Sequence, residues 1–145
     1  MSPARTDPYP AYNFLVEIDG VLKGSFSEVS GLVGQFDVVE YREGGDNTSI
    51  RKLQGLEKFS NITLKRGYTS DLSLWKWFRS FEQGVLQRTT MSITLLDEQH
   101  NPVLVWRVLR AWPCKYSGPL LNAKTSEVAI ETLEICHEGI ELAGP

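Results

Sequence analysis

The sequence predicts a mainly β protein: a small antiparallel β-barrel with one α-helix packed on its outside. Three observations predict it. Apolar and polar residues alternate over much of the chain, as at Tyr12, Phe14, Val16 and Ile18 against Asn13, Leu15, Glu17 and Asp19, the period-two signature of a strand. Turn-forming residues punctuate these stretches, Asp19-Gly20 being the clearest hairpin dipeptide. One segment alone breaks the pattern, with Leu74, Phe78 and Phe81 at i, i+4 and i+7 and Trp77 on the same side, a helical stripe. About seven strands and one helix suit a sheet closed on itself, since closure removes exposed edges.

In chain order, Pro3, Pro8 and Pro10 make residues 1–11 an extended arm. Residues 12–145 form a single domain, the prior for a chain of 145 residues. A strand from about Tyr12 turns at Asp19-Gly20 and returns over Val21 to Val29. A second turn at Gly31 to Gly34 leads into "QFDVVEYRE". "KFSNITLKRG" is the next strand. Its apolar positions Phe59, Ile62 and Leu64 do not hold one phase, which suggests a bulge.

The helix is expected over about Asp71 to Gln83, with Thr69 or Ser70 as cap, Asp71 at the positive end of the dipole and Gly84 at the C-terminus. Then come "RTTMSITLLD", the turn "DEQHNP", "PVLVWRVLRAW", a loop or short strand "PCKYSGPLLNAKT", and "SEVAIETLEICHEG". In that last strand Val128 and Ile130 share one parity, Leu133 and Ile135 the other. A bulge or cover on both faces is therefore expected.

Several function classes find no support in the residues. The net charge is −3 without a Lys/Arg cluster, so no nucleic-acid face is suggested. No apolar run approaches the roughly 20 residues of a membrane helix, and the N-terminus lacks a signal-peptide core. Cys114 and Cys136 lack a C-x-x-C spacing and read as two buried thiols rather than a disulfide. "HEGIE" at 137–141 resembles H-E-x-x-H, but Glu141 replaces the second histidine and the context is strand. No G-x-S-x-G or phosphate loop is present. No catalytic, metal or cofactor residue is assigned.

The puzzle is a long polar insert at about 42–58. It carries Arg42, Glu43, Asp46, Arg51, Lys52, Glu57 and Lys58, with Leu53 and Leu56 as apolar anchors and Gly44-Gly45 at its start. Hairpin loops usually have two to about five residues, and ordering a long one costs entropy.

An ordered set of segments answers it. "YNFLVEIDG…FSEVSGL", "EYREGGDN…RKLQGLEKFSNITLKRG", "LWKWF", "AWPCKYSGP" and "VAIETLEICHEGIE" together resemble the tail-tube proteins of contractile phage tails and contractile injection systems, from about Tyr12 to Glu141. The resemblance implies a structural protein, not an enzyme, whose hexameric rings stack into a tube. The tube would be surrounded by a contractile sheath and capped by baseplate and tube-terminating proteins. It would be assembled in a bacterial cytoplasm, carry effector cargo or DNA in its lumen, and need no cofactor. It implies neither specific nucleic-acid binding nor stable membrane insertion. The insert then reads as a ring or subunit interface through Arg42, Glu43, Asp46, Asn47, Arg51, Lys52, Leu53 and Leu56. The C-terminal His137 and Glu138 are further docking candidates. The rival readings are a monomeric barrel holding a small ligand in an internal pocket and an unrecognised hydrolase.

Overall fold

The computed structural model describes residues 7–42, 44–45, 49–84 and 88–144. Ten strands and one helix follow in order: β1 (Phe14–Ile18), β2 (Leu22–Gly24), β3 (Glu28–Ser30), β4 (Gly34–Tyr41), β5 (Arg51–Phe59), β6 (Ile62–Gly67), α1 (Ser73–Ser80), β7 (Thr89–Leu96), β8 (Pro102–Ser117), β9 (Ile130–Cys136) and β10 (Gly139–Ala143). Every pairing is antiparallel. The main sheet runs β2-β1-β7-β8-β9-β6-β3, with β10 also paired to β8. β4 and β5 form a separate two-stranded ribbon.

The predicted barrel is corrected to an open curled sheet. Its path ends at β2 and β3, and no ladder joins them among the described residues. Yet only Ser25, Phe26 and Ser27 separate these strands in sequence. A flat sheet of seven strands would set its edges about 29 Å apart at ~4.8 Å per strand. The four Cα–Cα steps from Gly24 to Glu28 reach at most about 14 Å. The sheet must therefore curl until its edges approach, and buried Phe26 lies in the seam. This is also why the expected return strand from 21 to 29 is two short pieces.

β8 makes the curl. It pairs with β7 and β10 along its first half and with β9 along its second. At the changeover Arg110 adopts φ 53°, beside a register shift in the β7–β8 ladder. An extra residue there bends and twists the strand. The concave side is filled by Val16, Ile18, Ile62, Leu64, Met91, Val108, Leu133 and Ile135, with Leu74 and Trp77 of α1 in the same cluster.

Further expectations are corrected in detail. The 42–58 insert is not all loop, because β5 occupies 51–59. The phase change between Phe59 and Ile62 is not a bulge: one sheet ends at Phe59 and another begins at Ile62. "PCKYS" continues β8. β9 keeps a constant phase, with Glu131, Leu133 and Ile135 buried, because exposed Val128 lies before the strand. The helix is shorter than expected, and a 3-10 turn covers Phe81–Gln83. Thr69 Oγ1 accepts the Asp71 amide (3.1 Å) and Asp71 Oδ1 accepts the Ser73 amide (3.0 Å), so they order its entry as a relay. Gly84 closes the helical region with φ +77°.

Candidate functional site

The β4–β5 ribbon carries a run of apolar residues that the subunit leaves uncovered. β4 and β5 pair in register from Gly34↔Phe59 to Tyr41↔Arg51, with one irregularity between Phe36 and Val38. At that irregularity Gly55 and Leu56 stand against Asp37. A Cβ on Gly55 would come within 2.8 Å of the Asp37 carbonyl oxygen, so the bulge requires glycine. Cross-strand partners share a face. Val39 and Leu53, then Tyr41 and Arg51, lie on one face; Val38 and Gln54, then Glu40 and Lys52, lie on the other. Val38, Val39, Tyr41, Leu53 and Leu56 are all exposed, Leu56 at 74%. Apolar residues thus stand in the open on both faces. The outer edges of both strands carry backbone groups without ladder partners among the described residues.

Of the expected interface residues, Arg51, Lys52, Leu53 and Leu56 are on β5 of this ribbon, and exposed Arg42 follows β4. Glu43, Asp46 and Asn47 lie outside the described residues. β4 was missed as part of this surface, although adjacent Val38 and Val39 signal a strand that is apolar on both faces.

The remaining two expected residues sit elsewhere, at the base of the ribbon and at the bend of β8. His137 Nε2 donates to the Ser60 carbonyl (2.8 Å), which fixes the proton on that nitrogen. Its ring lies 5.9 Å from that of Phe59, the last residue of β5, tilted by 54°. Glu138 accepts from Arg88 (2.6 Å) and pairs with Arg110 Nε (2.8 Å), while its amide donates to Leu109 (2.9 Å). Both residues tie the chain to itself. These pairs are largely exposed, and each is worth at most about 1 kcal/mol.

A buried polar network went unread in the sequence. Glu131 is 2% exposed and takes a position that alternation reserves for an apolar residue. Arg66 Nε donates to its Oε1 and Tyr116 to its Oε2 (2.6 Å), leaving the Tyr68 hydroxyl to donate to the Tyr116 oxygen. Arg66 also reaches Asp71 at the helix entry (3.2 Å) and lies over the Phe26 ring. Burial and the bond to Glu131 push the Tyr116 hydroxyl well above its ordinary range. One network so joins β6, β8, β9, the seam and α1. Asp71 is held below the usual carboxylate range, chiefly by Ser73 and then by Arg66. The Ser73 hydroxyl makes no well-aligned bond, so its amide is the effective partner.

Among the described residues no three His, Cys, Asp or Glu side chains are grouped to hold a metal. Among the same residues no helix is long and apolar enough to cross a membrane. What the geometry offers is an exposed apolar ribbon beside a packed core.

That architecture is the one found in known tail tubes. Residues 10–141 match the model of the T4-like virus tail tube protein gp19 family, and the chain belongs to that family. The chain is similar to one in the sheath-tube complex of PVC, an extracellular contractile injection system, in its extended state: TM-score 0.86, 26% identity, covering 97% of this chain and 94% of that one. It is equally similar to a chain in the anti-feeding prophage (AFP) baseplate structure, with TM-score 0.87, 25% identity, and coverage of 97% and 98%. Hcp1 from Flavobacterium johnsoniae shares the fold at 14% identity and TM-score 0.55, with 91% and 95% covered. No curated protein sequence matches the chain.

Proposed function

We propose that this tail tube protein forms hexameric rings that stack into the inner tube of a contractile injection system or phage-tail-like particle. It would have no enzymatic activity. The observation that carries the reading is the β4–β5 ribbon, with apolar residues bare on both faces and both edges open. A single neighbour would cover one face; cover on both requires a copy on each side. Head-to-tail contacts of that kind close into rings. Strands added at both edges would extend the ribbon into a continuous inner wall. The entropy cost of ordering the ribbon is then offset by burial on assembly.

The relatives support the partners. Their structures are of a sheath-tube complex, a baseplate and a tube-terminating cap, and we assign sheath, baseplate and terminator as partners here. Residues 1–11 serve as a docking arm to residues 12–145, the folded unit. The chain is acidic, which suits a lumen that does not hold acidic cargo. Assembly takes place in the bacterial cytoplasm.

Electron microscopy of concentrated protein, alone and with its sheath, tests the reading. Six-fold rings or stacked tubes are expected. A particle that stays monomeric with its sheath and baseplate present would overturn it.

A further inference from the structure

Beneath the root of the ribbon, β8 and β9 each present a cysteine. Cys136 lies opposite Trp112 in the β8–β9 ladder. Cys114 occupies the irregularity of that ladder, where Pro113 faces Ile135 and Lys115 faces Glu134. Glu134 and Cys136 share one parity of β9, away from buried Leu133 and Ile135. Cys114 is on their side: its Sγ donates to the Glu134 carbonyl (3.4 Å), and the Asn61 amide reaches both Cys114 Sγ (3.9 Å) and Glu134 Oε1 (2.9 Å).

The thiols are therefore one diagonal step apart on one face. A regular diagonal is about 7–8 Å between Cα atoms, slightly beyond the roughly 7 Å that a disulfide tolerates. Cys114 sits at the break in register, where the regular spacing does not apply. Both cysteines are free and half-buried. Burial first, and then the neighbouring Cys136 thiol, pushes the Cys114 thiol up to about 12.

We propose that Cys114 and Cys136 are a latent pair that closes to a cross-strand disulfide in oxidising surroundings, stapling β8 to β9 under the ribbon root. The oxidant is a small-molecule disulfide such as oxidised glutathione. Attack by one protein thiolate forms a mixed disulfide and releases one glutathione. The second protein thiolate then attacks the protein-side sulfur and releases the other. The protein loses two hydrogens and two electrons, and one oxidised glutathione becomes two reduced ones. The thiolate is the attacking species, so the pair closes faster as pH rises. The inference concerns the single subunit and stands apart from ring stacking.

Full-length native protein incubated with oxidised glutathione, then unfolded in acid and alkylated, gives the test. A mass lower by two hydrogens is expected, with neither cysteine alkylated, a 114–136 linked peptide, and faster closure at higher pH. Cys114→Ser and Cys136→Ser should each abolish closure and leave a glutathione adduct on the remaining cysteine. Alkylation of both cysteines after oxidant, a lasting adduct on the native protein, or closure only once denatured would overturn the proposal.

Discussion

Gly31 lies directly against the backbone of Asn61: a Cβ at position 31 would stand 2.1 Å from the Asn61 carbonyl oxygen, and Gly31 has φ +95°. These two residues are the entry and exit of the ribbon. The Val33 amide donates to the Gly31 carbonyl (2.8 Å), and the Ser60 amide to that of Val33 (3.1 Å). The close approach sets the angle at which β4 and β5 leave the body.

Gly31→Ala should therefore destabilise the subunit by roughly 3 kcal/mol or more, from a left-handed backbone and a clash with main chain. Gly24 meets nothing within 4 Å and has no positive φ, so Gly24→Ala should stay within about 0.5 kcal/mol. Urea unfolding of both variants is the check. Equal stabilities would show that the root relaxes freely.

Glu131→Ala leaves the Arg66 guanidinium, 13% exposed, without its buried partner. A loss of roughly 3–5 kcal/mol is expected. Replacing both residues, Glu131→Leu with Arg66→Met, should recover much of it, because the desolvation cost disappears with the charges. A double-mutant cycle by denaturant unfolding measures this. A cost under about 1 kcal/mol for Glu131→Ala would mean that the network is weak.

The ribbon should be dispensable for folding and necessary for assembly. Replacing residues 38–54, which begin and end at the Val38↔Gln54 pair, by a short glycine-containing turn removes no member of the core cluster. Leu56→Glu should likewise change subunit stability by no more than about 0.5 kcal/mol. Circular dichroism should report a folded β protein for both variants, and microscopy no tubes. Long tubes from the trimmed variant would assign stacking to another surface.

Alkali should weaken the fold through Cys114 and Tyr116, both raised in the folded state. Their stabilising contribution is complete below the unfolded values of 9.0 and 10.0. It is lost as pH rises, for Cys114 between 9.0 and about 12. Thermal unfolding midpoints should fall over that range. The fall should be shallower in Cys114→Ser and, at the upper end, in Tyr116→Phe. Identical slopes in all three proteins would refute the assignment.

The sequence by itself determined the class of element over much of the chain, though not at β5 or β10. Strand alternation at β1, the Asp19-Gly20 turn and the Leu74–Trp77 stripe are local patterns, and local sterics and periodicity are enough to read them. It also marked β5 as odd, through Leu53 and Leu56 in a charged stretch. What it could not decide was which strands share a sheet. Phe59 and Ile62 are three residues apart yet end one sheet and begin another, and that break depends on the Gly31 contact with Asn61. Glu131 reads as a polar residue in a strand; only the fold brings Arg66 and Tyr116 to it across 65 and 15 positions. The curl of the main sheet has the same origin. A three-residue link is local, but whether its two strands pair or lie at opposite edges depends on long-range ladders, whose partners are distant in sequence and set by burial of the shared core.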